Sequence, residues 1–131
     1  MIQINPREIA AEALMEIMTA DAYNTMTLRR LLRQNGAMSR QDRAFVTEVV
    51  NGTLRNLIYI DHVLNTFSKT KTGKMKPWLL AVLRTAAYQM YFMDVPDAAA
   101  CNEAVKLASV RGYGSLKGFV NGVLRTAAKK K

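Results

Sequence analysis

Cysteine and histidine are almost absent from this 131-residue chain, which has one of each, Cys101 and His62. A single cysteine excludes an internal disulfide framework and is typical of a reducing compartment, so we expect a cytoplasmic protein. One histidine is too few for a histidine-based metal site or for a histidine-activated nucleophile with an orienting third group. We therefore expect no metal site, no catalytic residue, no enzymatic activity and no cofactor in this chain, with His62 structural and Cys101 a small core residue.

Long apolar runs and phosphate-binding glycine loops are also missing. No apolar stretch approaches the roughly 20 residues that a membrane-spanning helix needs, so we expect no membrane partner. Gly112 and Gly114 precede a predicted helix but follow no predicted strand, which excludes the usual nucleotide-phosphate motifs. The remaining candidates for function are binding surfaces.

Acidic residues are scarce, and their distribution is uneven. The chain has 19 Lys and Arg against 10 Asp and Glu, a net charge of +9, and its last side-chain carboxylate is Glu103. The basic residues beyond it are Lys106, Arg111, Lys117, Arg125 and Lys129, Lys130 and Lys131. A second group comprises Lys69, Lys71, Lys74 and Lys76. Such charge can simply keep a protein soluble, but its one-sided distribution favours a phosphate-rich partner such as a nucleic acid.

The hydrophobic residues, 50% of the chain, recur with helical periodicity almost throughout. We predict an all-α fold, a single domain over residues 1–131 with about six to seven helices. Asn5 and Pro6 open the first helix, and Gly36 is predicted to end the second in a left-handed conformation. Ser39 caps a long segment that reaches Ser68, and Gly52 either breaks or bends it.

The second half of the chain contains the predicted centre of the domain. The stretch from Pro77 through Tyr91 is apolar nearly all round, as expected for a helix surrounded by others. The lysine-rich stretch before it is predicted to be a loop. A sixth helix should run to about Val110, followed by a turn over residues 111–114, and Ser115 is predicted to cap the last helix.

Two helix starts are candidate anion sites. The free backbone N–H groups at the start of the last helix carry a partial positive charge, and Arg111, Tyr113 and Lys117 would add charge and a stacking ring. Arg7, in the first turn of the first helix, opposes the helix dipole, which favours an external anion nearby. An ordinary helix start and an incidental exposed arginine are the alternatives.

Several blocks of the sequence resemble the NusB family in order and spacing, from about Asn5 to Arg125. The blocks are Asp42-Arg43-Ala44-Phe45, Glu48-Val49-Val50-Asn51-Gly52-Thr53-Leu54-Arg55, Pro77-Trp78, Val82-Leu83-Arg84, Ala87-Tyr88-Gln89, Asn102-Glu103-Ala104-Val105-Lys106-Leu107-Ala108 and Gly118-Phe119-Val120-Asn121-Gly122-Val123-Leu124-Arg125. The last block is the most specific. The resemblance implies a NusB-like helical bundle that binds RNA.

The family contains free-standing antitermination factors, which bind single-stranded RNA together with a small-subunit ribosomal protein. It also contains the amino-terminal domains of bacterial enzymes that methylate C5 of a cytosine in small-subunit ribosomal RNA. The blocks Thr53-Leu54-Arg55 and Ala87-Tyr88-Gln89-Met90 are more similar to the second group. Antitermination factors typically begin with several arginines, of which only Arg7 remains here.

The resemblance therefore implies that this chain is the amino-terminal fragment of a longer methyltransferase, with RNA and a fused catalytic domain as its partners. That catalytic domain would bind S-adenosylmethionine, and the RNA would be small-subunit ribosomal RNA. One alternative is a free-standing antitermination factor that has a small-subunit ribosomal protein as its partner. Another is a helical protein-interaction module.

The resemblance also implies an RNA groove between the starts of the first and last helices. Carried onto this chain, that groove would include Arg7, Ser115, Lys117 and Phe119. Phe119 would either stack on a base or pack in the core. We expect the two helix starts to form one cationic cleft without acidic side chains between them.

Overall fold

The computed structural model describes residues 5–20 and 25–131, and within these ranges it is all α-helical. Its helices are α1 (Pro6–Thr19), α2 (Thr25–Gln34), α3 (Arg40–Arg55), α4 (Leu57–Phe67), α5 (Pro77–Phe92), α6 (Asp97–Val110) and α7 (Lys117–Lys129). Two short 3-10 turns, Thr72–Lys74 and Gly114–Leu116, lie in the connections. The all-α prediction of about six to seven helices is confirmed. None of the helices in the described ranges is long and apolar enough to cross a bilayer.

Helix α5 is the centre of the bundle, as its sequence predicts. It packs against α1, α3, α4, α6 and α7, and nearly every residue from Trp78 to Met90 is buried. The indole Nε1–H of Trp78 donates to the Leu107 carbonyl on α6 at 2.9 Å, so the one polar atom of this large side chain is satisfied. A helix surrounded on all sides needs this all-round apolar pattern.

The buried residues form two clusters that meet at α1. The larger cluster surrounds α5 and includes Leu14 of α1. The smaller cluster joins α1, α2 and α3, with Ile17, Leu31 and Val46 among its members. Helix α1 thus buries two faces, which fixes its position relative to both halves of the domain.

A buried ion pair links α4 to α5. The Arg84 guanidinium donates from Nε to Asp61 Oδ1 and from its terminal nitrogen to Asp61 Oδ2, both at 2.8 Å. The two side chains are only 10% and 24% exposed. This bidentate geometry compensates a charge that would otherwise be costly inside the bundle.

The long segment from Ser39 to Ser68 is two helices, and the break lies at Asn56. The Asn56 side chain donates to the Gly52 carbonyl at 2.9 Å, and its backbone N–H donates to the same carbonyl. Gly52 itself is helical. It is buried because the Tyr88 ring fills the space that a side chain at this position would occupy. A Cβ at Gly52 would lie 2.0 Å from the Tyr88 ring.

Helix ends were predicted with mixed success. The Asn5 side chain accepts from the backbone N–H groups of Arg7 and Glu8, and Ser39 Oγ accepts from that of Asp42 at 3.1 Å, so both caps are confirmed. The left-handed conformation predicted for Gly36 is wrong, since Gly112, with φ +88°, is the one described glycine with positive φ. Helix α2 ends instead where the Asn35 amide donates back to the Leu31 carbonyl at 2.8 Å.

The predicted cap at Ser115 is also wrong. Ser115 lies within the 3-10 turn. Helix α7 begins at Lys117, its N-cap residue is Leu116, and no side chain caps its first backbone N–H groups. The cause is the chain reversal at Gly112, where the Tyr113 N–H donates to the Ala108 carbonyl and the Leu116 N–H to the Tyr113 carbonyl. These hydrogen bonds fold residues 113–116 into a tight turn, so Ser115 lies inside the turn and not at the residue before the helix.

Candidate nucleic-acid interface

Four of the six predicted RNA-binding residues lie in the α6–α7 connection or at the first residue of α7. Ser115 and Lys117 are exposed, and Tyr113 is half-buried against the larger core cluster. Phe119, in the first turn of α7, is also half-buried against that cluster. Packing therefore accounts for part of the surface of both aromatic rings, and the rest faces solution.

Arg111 is held by several contacts. Its guanidinium lies over the Trp78 ring, with Cζ 4.2 Å from the ring centroid. A terminal nitrogen is 3.1 Å from a carboxylate oxygen of Glu12 and 3.9 Å from one of Glu8. Both glutamates belong to α1, so the surface between α1 and the α6–α7 connection carries two carboxylates. The acid-free cleft expected between the two helix starts is therefore not formed at Arg111.

Arg7 lies on a different side of α1 from these glutamates. Its Nε donates to the side-chain oxygen of buried Gln89 at 2.8 Å, and its guanidinium stands 5.2 Å from the Phe45 ring centroid. Arg7 thus contacts α3 and α5 and is half-buried. Arg7 and Arg111 thus contact different partners, and both residues stay predictions as RNA contacts.

A shallow open groove between α6 and α7 contains residues that the sequence did not single out as a site. Its lining comprises Asn102, Val105, Lys106, Lys117, Gly118, Asn121 and Arg125. The Arg125 guanidinium spans the groove, donating from Nε to Asn121 Oδ1 at 3.1 Å and from a terminal nitrogen to Asn102 Oδ1 at 2.9 Å. The spacing of Lys117, Asn121 and Arg125, four residues apart on one helix, is the signal that could have revealed it.

An exposed apolar patch lies at the junction of α4 and α5. Ile58 is 90% exposed, and Tyr59 and Phe92 are each a little under half exposed. The Tyr59 ring meets the Phe92 ring edge-on at 5.8 Å between centroids, and Tyr88 stacks on Phe92 at 5.4 Å. We refer to Ile58, Tyr59 and Phe92 as the α4–α5 patch. Contiguous exposed apolar side chains of this kind mark protein-interaction surfaces.

Three ionisable groups in or beside the core, Tyr88, Tyr91 and Cys101, have pKa values that burial raises. Burial raises the pKa of the Tyr88 hydroxyl, and its hydrogen bond to the Glu48 carboxylate adds to the effect. Burial likewise raises the pKa of the Cys101 thiol, which lies in the core as predicted. A thiol held protonated in this way is a poor nucleophile. In the described ranges, no three side chains of the metal-ligating types are grouped closely enough to hold an ion.

Within residues 5–20 and 25–131, these features define a class, a bundle of seven α-helices built around one buried helix, with a basic groove between the last two. The chain belongs to the NusB family, whose family model matches residues 4–129.

The relatives fall into two groups of different length. The chain is 40% identical over 131 residues to the probable ribosomal RNA small subunit methyltransferase B of Bacillus subtilis (strain 168), covering 99% of this chain and 29% of that protein. It thus spans less than a third of that relative. It is 34% identical over 134 residues to the transcription antitermination protein NusB of Desulfovibrio desulfuricans, covering 94% of this chain and 82% of that one.

The fold is also that of solved structures. A crystal structure of antitermination factors NusB and NusE in complex with double-stranded RNA matches with a TM-score of 0.88 at 15% identity, covering 96% of this chain and 95% of that chain. At this identity the likeness demonstrates the shared fold.

Proposed function

We propose that this chain is an RNA-binding accessory domain at the amino terminus of a ribosomal RNA cytosine-C5 methyltransferase. In this role it helps a fused catalytic domain, which uses S-adenosylmethionine, to engage small-subunit ribosomal RNA. The chain itself performs no chemistry in this proposal. Its contribution is to hold the substrate RNA near the catalytic domain.

The observation that carries the proposal is the basic surface of α6 and α7. Seven basic residues follow Glu103 with no acid among them. Among the carboxylates that the structure describes, none forms an ion pair with Lys117 or Arg125. Positive charge without an internal partner attracts phosphates and releases their counterions, which is the main source of affinity in sequence-independent RNA binding.

The similarity to the Bacillus subtilis protein, named for ribosomal RNA methylation, supports the choice of substrate class. A free-standing antitermination factor, with a small-subunit ribosomal protein as partner, is a second candidate. It is favoured by the 82% of the Desulfovibrio desulfuricans protein that this chain covers. The exposed α4–α5 patch favours a third candidate, a protein-interaction module.

RNA binding is tested by fluorescence anisotropy with a labelled single-stranded fragment of small-subunit ribosomal RNA over a range of salt concentrations. If about four phosphates are neutralised, the slope of log affinity against log salt should be roughly −3. A flat salt response would contradict an RNA-binding function.

The two RNA-linked roles are separated by deleting the gene in its host. Loss of a 5-methylcytosine from small-subunit ribosomal RNA, measured by mass spectrometry, is the result expected for the methyltransferase domain. Intact methylation together with premature termination of ribosomal RNA transcripts would favour the antitermination role instead.

A further inference from the structure

We propose that the RNA backbone follows the groove between α6 and α7, where Asn102, Lys106, Asn121 and Arg125 act with Lys117 as its phosphate-binding residues. This inference rests on the proposed function and specifies where the RNA lies. The RNA path inferred here runs along α7, whereas the path implied by the family resemblance runs from the start of α7 to the start of α1.

The groove has the geometry of a linear track. Lys117, Asn121 and Arg125 lie four residues apart, so they share one face of α7 over a length of about 12 Å. Asn102 and Lys106 are likewise four residues apart and face them from α6. Donor groups repeated along a line match a polymer with repeated anionic groups.

The hydrogen bonds within the groove orient its donors toward a ligand. Both asparagine side-chain oxygens accept from Arg125, so the NH2 groups are the parts of these exposed amides that can bind something else. Amides leave the Arg125 charge uncompensated, whereas carboxylates in the same places would neutralise it. The groove thus presents ammonium, guanidinium and amide donors, which fits the acceptor-only oxygens of a phosphodiester.

The lining also favours RNA over an acidic protein as the occupant. Its apolar members are Val105 and Gly118, with no aromatic or large aliphatic side chain among the lining residues. Protein interfaces usually depend on buried aromatic or arginine anchors at a well-packed centre. The α4–α5 patch has that character, and this groove does not.

Carboxylates make the path toward α1 less favourable than the groove. A phosphate beside Arg111 meets Glu12 and Glu8, which already lie 3.1 and 3.9 Å from that guanidinium. In the groove, Glu103 contacts Lys106 at 3.1 Å, but the lysine side chain is 73% exposed. Exposed ion pairs of this kind are weak, so Lys106 can exchange its partner for a phosphate.

The test replaces Asn121 with aspartate in the full 131-residue chain. Asn121→Asp keeps an oxygen for Arg125 and places a negative charge in the groove, so the fold should persist while RNA binding falls. A matched control is Gln34→Glu, because Gln34 on α2 also accepts from an arginine four residues earlier, Arg30, at 3.4 Å. Both variants change the net charge by the same amount.

The measurement is anisotropy with a labelled 12-nucleotide single-stranded RNA of mixed sequence, repeated with Asn102→Asp and Lys117→Gln. We expect each groove variant to weaken binding by about fivefold or more, and Lys117→Gln to make the log–log salt slope less steep by roughly 0.7. Gln34→Glu should change affinity less than twofold by the same electrostatic reasoning. Circular dichroism melting checks that each variant is folded.

The outcomes separate this inference from the function on which it rests. If wild-type protein binds RNA and the groove variants match Gln34→Glu, the path is wrong and the proposed function stands. If wild-type protein shows no salt-dependent RNA binding, both fail. If the groove variants lose binding to poly-glutamate but not to RNA, the groove belongs to an acidic protein, which also overturns the inference.

Discussion

Two arginines in this domain each form hydrogen bonds across a pair of packed helices, and they differ in the kind of side chain that accepts those bonds. At the α4–α5 junction Arg84 forms two 2.8 Å hydrogen bonds with the Asp61 carboxylate, mostly shielded from water. At the α6–α7 junction Arg125 bonds to the neutral amides of Asn102 and Asn121 on the surface. A carboxylate cancels the charge of its arginine, while amides fix the position of the arginine and leave the charge available. The Arg84–Asp61 ion pair is therefore suited to stability, and the hydrogen bonds of Arg125 are suited to binding.

The strongest test of this comparison removes the partner of Arg84. Asp61→Ala leaves a buried guanidinium uncompensated, and breaking a buried pair in this way costs about 3–5 kcal/mol. Urea denaturation should show this loss in the free energy of unfolding. The double variant Asp61→Leu/Arg84→Met should recover most of it, because an apolar pair of similar volume avoids the desolvation penalty. Equal stability of Asp61→Ala and wild type would remove the distinction between the junctions.

Alkaline pH should weaken the interior more than the surface. The pKa values of Tyr88, Tyr91 and Cys101 are all raised in the folded state, chiefly by burial, so folding favours their neutral forms. A group with a raised folded-state pKa stabilises the protein below its unfolded pKa, and that contribution is lost as the pH rises through the folded value. The free energy of unfolding should thus begin to fall near pH 8, because an unfolded thiol, with a pKa of about 8.5, starts to ionise there while the folded thiol stays protonated.

The contribution of the thiol is isolated by Cys101→Ala. This variant should show a shallower decline in unfolding free energy between pH 8 and pH 10, after its constant cavity cost is subtracted. An identical pH dependence in wild type and variant would mean that ionisation of Cys101 does not contribute.

The smallest change in stability is expected at the second junction. Arg125→Gln removes a half-buried guanidinium that donates to two surface amides, and we expect a loss of about 1 kcal/mol. The same variant should make the slope of log RNA affinity against log salt less steep by roughly 0.7, for one lost phosphate contact. A stability loss as large as that of Asp61→Ala, with an unchanged salt slope, would reverse the roles of the two arginines.

The fold was largely predictable because its determinants are local. The all-round apolar pattern from Pro77 to Tyr91 identified the central helix, and Asn5 and Ser39 identified two helix starts. Gly36 and Ser115 misled the prediction, because the residue types suited an end and a cap, but hydrogen bonds at Asn35 and the reversal at Gly112 determined the geometry.

The site was less predictable because it depends on distant parts of the chain. The hydrogen bond from Arg111 to Glu12 joins residues 99 positions apart, and no spacing rule indicates it. Asparagines on an exposed helix, such as Asn102 and Asn121, have no distinctive pattern until the opposite helix is in place. Basic composition indicated the kind of partner, and only the packing of α6 on α7 showed which residues share a groove.

The missing side chain at Gly52 has a consequence for the outer surface. The Tyr88 ring packs into the space beside Gly52, and Phe92 stacks on that ring with 5.4 Å between the ring centroids. Phe92 is thereby fixed in orientation although 43% of it is exposed. An aromatic ring that is already immobile loses little conformational entropy on contact, so a partner protein that docks there would meet a preorganised anchor.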